Sequence, residues 1–144
     1  MPPRIYPHFR TEGEVVISEQ LDLTVSLRGR RDIHDNYQVL RFTGLLDAFS
    51  EPAFRKAVSK CIEEGPKHVI LDFSAIDFID SSGLGILVQM AKKSQASGGT
   101  LQIVSNPRVK QTVKLVRLEK LLPLQPSLEE ALTAIGVKSS EINQ

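Results

Sequence analysis

The chain is expected to fold as one α/β domain around a mixed sheet of about four to five strands. Three observations predict this. Strand-like and helix-like stretches alternate from Tyr37 to Gly136, the pattern of crossover units that lay parallel strands side by side. The stretches "HVILDF" and "TLQIV" are apolar without alternation, as befits strands covered on both faces. The length, 144 residues, allows one domain with a real core but not two of ordinary size.

The elements follow in order. Leu21, Leu23, Val25 and Leu27 fall at alternate positions, the period of a half-buried strand. "RGRRDIHDN" is polar and reads as a loop or ragged hairpin tip before a second strand, "YQVLRF", that runs into Gly44, so that the two form an antiparallel opening pair. Ser50 is placed to cap a helix with Pro52 in its first turn and Phe54, Ala57, Val58, Cys61 and Ile62 along one face; Gly65 and Pro66 end it. After "HVILDF", a helix carrying Leu84, Leu87, Val88 and Ala91 on one face runs to "SGGT". "SNPRVKQTVKLVRL" supplies a cap, a proline near the first helical position, and Val109, Thr112, Val113 and Val116 on one side. "LLPLQP" suits a short edge strand because of Pro123. Ser127 and Glu130 form a capping box, and Gly136 closes the last helix. Residues 1–20, with three of the eight prolines, are read as an N-terminal arm of uncertain order, 21–136 as the domain, and 137–144 as a loose tail.

Composition narrows the functions. With 18 basic and 17 acidic residues, binding to nucleic acid through backbone charge is not expected. The single cysteine, Cys61, excludes an intramolecular disulfide framework and a cysteine-built zinc site; on the apolar face of its helix it reads as a small hydrophobe, and no metal or cofactor is expected. No apolar run serves as a secretory signal or approaches the roughly 18 residues of a membrane span, so a soluble cytoplasmic protein without membrane partners is expected. Arg28, Arg30 and Arg31 read as a solvated loop, and Arg108, Lys110, Lys114, Arg117 and Lys120 as a solvated helix face rather than a site for an acidic partner.

The chemistry concentrates in "FIDSSGLGIL", Phe78 to Leu87, where an acid, two serines and two glycines join a strand to a helix. A serine nucleophile would need small residues on both sides of it, and Ile79 and Asp80 stand there instead. It would also need a histidine, and His8, His34 and His68 lie in the arm, in the early loop and at the far end of a strand. A phosphate cradle would need a longer glycine loop with a lysine, although free amides at a helix start still favour anions. Capping by Ser81 or Ser82 accounts for one hydroxyl but not for two glycines in the first turn, each costing about 0.5–1 kcal/mol relative to alanine. Bare backbone there is better explained by close approach of another molecule. The remaining chemistry is a phosphoacceptor: a phosphate would add about 1.5–2 negative charges beside Asp80 and change any docked surface while the helix tolerates it.

"VILDFSAIDFIDSSGLGIL" closely resembles the signature of STAS domains of the bacterial anti-sigma factor antagonist family. "VLRFTGLLDA" and "GGTLQIVSNPRVKQTVKLVRLEKLLPLQPSLEEAL" resemble that family's early strand and C-terminal half, so that the similarity spans about residues 21–136. The resemblance implies a non-enzymatic partner-switching regulator. Its unphosphorylated form binds an anti-sigma factor that is also a serine kinase and so frees the sigma factor; phosphorylation of the second serine of the motif ends that binding, and a PP2C-type phosphatase restores it. Carried onto this chain, the acceptor is Ser82, with Ser81 the second choice, and the contact surface comprises Asp47, Asp80, Ser81, Gly83, Leu84 and Gly85. Many members have a glutamate where this chain has Leu45, and the region before Leu21 is longer than a minimal domain needs; such an arm can mediate self-association. A client other than a sigma factor, and a nucleotide-binding interaction module, are the alternatives.

Overall fold

The computed structural model describes residues 4–6 and 16–137. Among the described residues seven strands form one sheet in the order of the sequence: β1 (Arg4–Tyr6), β2 (Val16–Leu21), β3 (Leu27–Ile33), β4 (Tyr37–Leu46), β5 (His68–Ile79), β6 (Thr100–Val104) and β7 (Leu124–Gln125). β1 to β4 pair antiparallel, β4 to β7 parallel. Four helices accompany it among the described residues: α1 (Glu51–Glu64), α2 (Ser81–Ala96), α3 (Pro107–Leu115) and α4 (Leu128–Ala134). The mixed α/β architecture is the expected one, with a wider sheet than four to five strands. The additional strands come from the stretch read as an arm, since β1 lies within it and β2 crosses its boundary at Leu21. The tail from residue 138 onward lies outside the described residues.

The opening of the sheet differs from the alternation of leucines. Leu21 ends β2, Leu27 begins β3, and the residues between them turn: Thr24 Oγ1 accepts the amide of Leu27 at 3.1 Å, and Val25 is 93% exposed. The stretch "RGRRDI", expected as a loop, is the body of β3. Its charges are tolerated there because they are paired. Asp32, 1% exposed, accepts hydrogen bonds from the Ser18 hydroxyl, from Arg30 at 3.3 Å and from Arg41 at 3.2 Å. Arg41 also reaches Asp72 at 3.1 Å. On the other side of β3, Arg31 donates to Gln38 at 2.8 Å and to Glu19 at 2.9 Å. Burial alone would raise the Asp32 pKa, but the Ser18 hydrogen bond and the two guanidinium groups together hold it below its ordinary value.

The larger core packs α1, α2 and α3 against one face of the sheet. At its centre Phe42, Phe54 and Phe73 meet with ring centroids 4.9 to 5.9 Å apart in tilted and edge-on geometry. A smaller cluster, Tyr37, Val39, Ile70 and Val104 with Ala131 and Leu132, seats α4 on the opposite face. The strand segment Val69–Phe73 is therefore buried throughout, and Asp72, the one charge in it, is paired with Arg41. Gln38 is fully buried and donates to the carbonyls of Cys61 and Pro66 at 2.8 and 3.0 Å, which ties the end of α1 to β4. Cys61 itself is buried, and desolvation pushes its thiol up to about 11. Ser127 caps α4 by accepting from the amide of Glu130 at 3.2 Å, and Gly136 follows with φ 93°.

Candidate functional site

The parallel strands β4 and β5 end together, Leu46 opposite Ile79, and the chain leaves each into a helix. The loop after β4 is fixed by Asp47. Its Oδ1 accepts the amides of Phe49 and Ser50, each at 3.0 Å, while the Ser50 hydroxyl donates to the carbonyl of Leu45 at 2.8 Å. Ser50 stands at the N-cap position of α1 as expected, but its hydroxyl serves this loop instead of the helix amides.

At the start of α2 the cap is Asp80, not a serine. Its Oδ1 accepts the amide of Gly83 at 3.0 Å and its Oδ2 the amide of Ala48 at 3.2 Å. One carboxylate thus closes the helix entrance and clamps it to the Asp47 loop; the Asp80 amide, donating to the Leu46 carbonyl at 3.2 Å, adds a third tie. Aspartate caps as well as serine, and the spacing to Gly83 at N3 is the signal that could have found it. Ser81 and Ser82 therefore occupy the first two helical positions. Ser81 is exposed and Ser82 half-buried, and neither hydroxyl has a hydrogen-bond partner among the described residues.

The glycines divide. A Cβ on Gly83 would stand 2.5 Å from the Leu46 carbonyl and 2.8 Å from Ile79, so this residue is bare because helix and strand touch there. Leu84 is buried in the large core. Both were expected on the contact surface, and burial removes them from it. Gly85 is different: it is exposed, and a Cβ there would meet nothing within 4 Å. The outer surface of the corner thus comprises Asp47, Asp80, Ser81, Ser82 and Gly85, joined by three apolar side chains that motif reasoning did not include. Phe49 is 70% exposed, Phe78 is 49% exposed and pairs with Leu45, and Val25 adjoins Ser26, whose carbonyl accepts the Leu45 amide at 2.9 Å.

No histidine approaches this corner among the described residues. His68 opens β5, and the twelve-residue strand separates it from Ile79 by roughly 30–35 Å. His34 sits at the same far end, stacked on Tyr37 at 4.2 Å, and His8 lies outside the described residues. The basic side chains of α3 and the turn after it, Arg108, Lys110, Lys114, Arg117 and Lys120, are exposed, with Arg108 donating to the Asp77 carbonyl at 2.9 Å.

The model of the STAS domain matches residues 28–131, a span containing both strands, both loops and the helix entrance of this corner. The chain belongs to the STAS domain family. Among its relatives, the anti-sigma F factor antagonist of Paenibacillus polymyxa is 26% identical over 117 residues, covering 80% of this chain and all of that protein. The anti-sigma-F factor antagonist RsfB of Mycobacterium tuberculosis is 27% identical over 111 residues, 77% of this chain and 89% of its own length. Among solved structures, that of an anti-sigma factor antagonist from Mycobacterium paratuberculosis superimposes with a TM-score of 0.69 at 31% identity, covering 76% of this chain and 94% of the other. These relatives are named as antagonists of anti-sigma factors. Within this STAS domain no helix among the described residues is long and apolar enough to cross a membrane.

Proposed function

We propose that this STAS domain is an anti-sigma factor antagonist that switches partners through phosphorylation of Ser82. Unphosphorylated, it binds an anti-sigma factor with serine kinase activity through the corner at the start of α2 and so releases the kinase's client. Phosphate on Ser82 ends the contact, and a PP2C-type phosphatase resets it. The client is a sigma factor or another protein held by the same kinase.

The observation that carries this reading is the division of labour at the helix entrance. Asp80 performs the capping, which leaves the hydroxyls of exposed Ser81 and half-buried Ser82 without a hydrogen-bond partner among the described residues. A phosphate at the second helical position gains from the helix dipole, so the fold survives modification. Outside the fold the same charge stands near Asp47 and Asp80 and on the rim of an apolar contact, where repulsion and desolvation both oppose docking. Ser81, one position earlier and more exposed, is the secondary acceptor. A nucleotide-binding module fits less well, because the Asp80 carboxylate already occupies the anion position at the Gly83 amide.

The test is incubation of the purified chain with its anti-sigma factor kinase and ATP, followed by site mapping by mass spectrometry. Phosphate on Ser82 is the expected result; phosphate elsewhere with Ser82 unmodified would sink the assignment. Ser82→Asp is expected to weaken kinase binding at least tenfold, while Ser82→Ala stays near wild type.

A further inference from the structure

We infer that Phe49 is the main affinity anchor of the partner contact, and that the partner carries an apolar pocket placed to receive its ring beside Ser82. The inference rests on the partner-switching reading and adds to it which residue supplies the binding energy and what chemistry the partner must offer.

A large aromatic side chain 70% exposed to water is unusual in itself, and such exposure marks contact sites when it is not isolated. Here it is not isolated. Phe78, 49% exposed, stands two residues before Asp80, which binds the Ala48 amide next to Phe49, and it pairs with Leu45, whose amide donates to the Ser26 carbonyl beside exposed Val25. Phe49 makes no aromatic ring contact among the described residues, so its ring serves no internal packing of that kind. Yet its backbone is held firmly: the Phe49 amide is bound by Asp47, the preceding amide by Asp80 and the following one by Asp47 again. A ring presented on a fixed loop loses little freedom when it docks, which is the property that makes an aromatic residue an anchor.

The occupant is set by continuity. Asp80 holds Ala48 with one oxygen and Gly83 with the other, so the residue before Phe49 and the residue after Ser82 share one carboxylate. The loop that carries Phe49 is thereby clamped to the helix entrance that carries Ser82, so a protein docked over Ser82 meets that loop. The pocket must be apolar because the ring offers no polar group to satisfy. Phosphorylation then acts at the edge of a dehydrated contact, where a dianion costs more than it would on an open surface.

The experiment uses the anti-sigma factor kinase recovered on immobilised wild-type chain, purified, and titrated calorimetrically against four proteins: wild type, Phe49→Ala, Ser82→Asp and Leu115→Ala. Leu115, 75% exposed at the end of α3, is the control for loss of an exposed apolar side chain away from the corner. Phe49→Ala is expected to weaken binding by about 30-fold or more and Leu115→Ala by less than twofold, with circular dichroism unchanged for both. If Phe49→Ala binds within twofold of wild type while Ser82→Asp is weakened, the anchor is wrong and the switch stands. If Ser82→Asp binds like wild type, or no serine kinase is recovered, the switch reading fails and the inference with it.

Discussion

Two aspartates organise this molecule, and they do opposite things. Asp32 lies inside the antiparallel half of the sheet, almost without exposure, and gathers Ser18, Arg30 and Arg41 around itself. Asp80 lies at the open end of the parallel half, and its two oxygens hold two backbone amides from different loops. The first makes a charged strand compatible with burial. The second builds a surface by holding backbone amides, which leaves the hydroxyls of Ser81 and Ser82 without a partner among the described residues. Removing a buried acid of the first kind is costly because it strands its partners; a bridging cap of the second kind is modest in energy and fixes geometry.

The largest expected effect breaks the first of these. Asp32→Asn should lower unfolding free energy by about 3 kcal/mol, the lower end of the cost of breaking a buried pair, since Arg41 retains Asp72 and Arg30 is part-exposed. The folded-state pKa of Asp32 is depressed, so the stability it contributes is present above its ordinary value of 3.8 and is lost as pH falls from there through the folded value. Urea titrations of wild type and variant should therefore differ most near neutral pH and converge below pH 3.8; a gap independent of pH would show that the charge is not what stabilises.

Next come the two glycines of the corner, which the motif presents as equivalent. Gly83→Ala pushes a methyl group into the Leu46 carbonyl and should destabilise by about 2 kcal/mol through forced displacement of α2 from the end of β4. Gly85→Ala meets open space and should stabilise by about 0.5–1 kcal/mol through helix propensity. Thermal melts of the two variants should move in opposite directions. If both destabilise, the packing distinction between them is wrong.

The smallest effect concerns a second pair of buried residues. The Ser18 hydroxyl is engaged by Asp32, whereas the Ser94 hydroxyl, buried in α2, has no partner among the described residues. Ser94→Ala should be neutral or stabilising by about 1 kcal/mol, because it removes an unsatisfied polar group. Destabilisation by more than that in chemical denaturation would show that the hydroxyl is bonded in solution.

The parallel half was legible in the sequence because its signals are local. "HVILDF", "TLQIV", the Ser127 capping box and the Phe54–Ile62 helix face each announce one element through period or cap chemistry. The antiparallel half was not. Leu21, Leu23, Val25 and Leu27 alternate across a turn, and "RGRRDI" is charged because its partners lie across the sheet on β2 and β4. Pairing of that kind is invisible to a window that sees only neighbours along the chain. At the corner the same contrast holds. "DSSGLG" locates the site, but whether a given glycine faces solvent or a carbonyl depends on Leu46, nearly forty residues away. Phe49 stands beside the motif only because Asp80 binds the Leu46 carbonyl and the Ala48 amide, and the Val25 turn is tied to the same region only through the bond from the Leu45 amide to the Ser26 carbonyl.

The thiol of Cys61 has a practical meaning beyond packing. It is the chain's only cysteine, and a pKa raised to about 11 leaves almost no thiolate at neutral pH. Its alkylation must therefore await an opening of α1, and the rate of that reaction reads out how often the helix behind the Asp47 loop lifts from the sheet. Compared with and without a phosphoryl group on Ser82, that rate would report whether the modification loosens the scaffold or only repaints its surface.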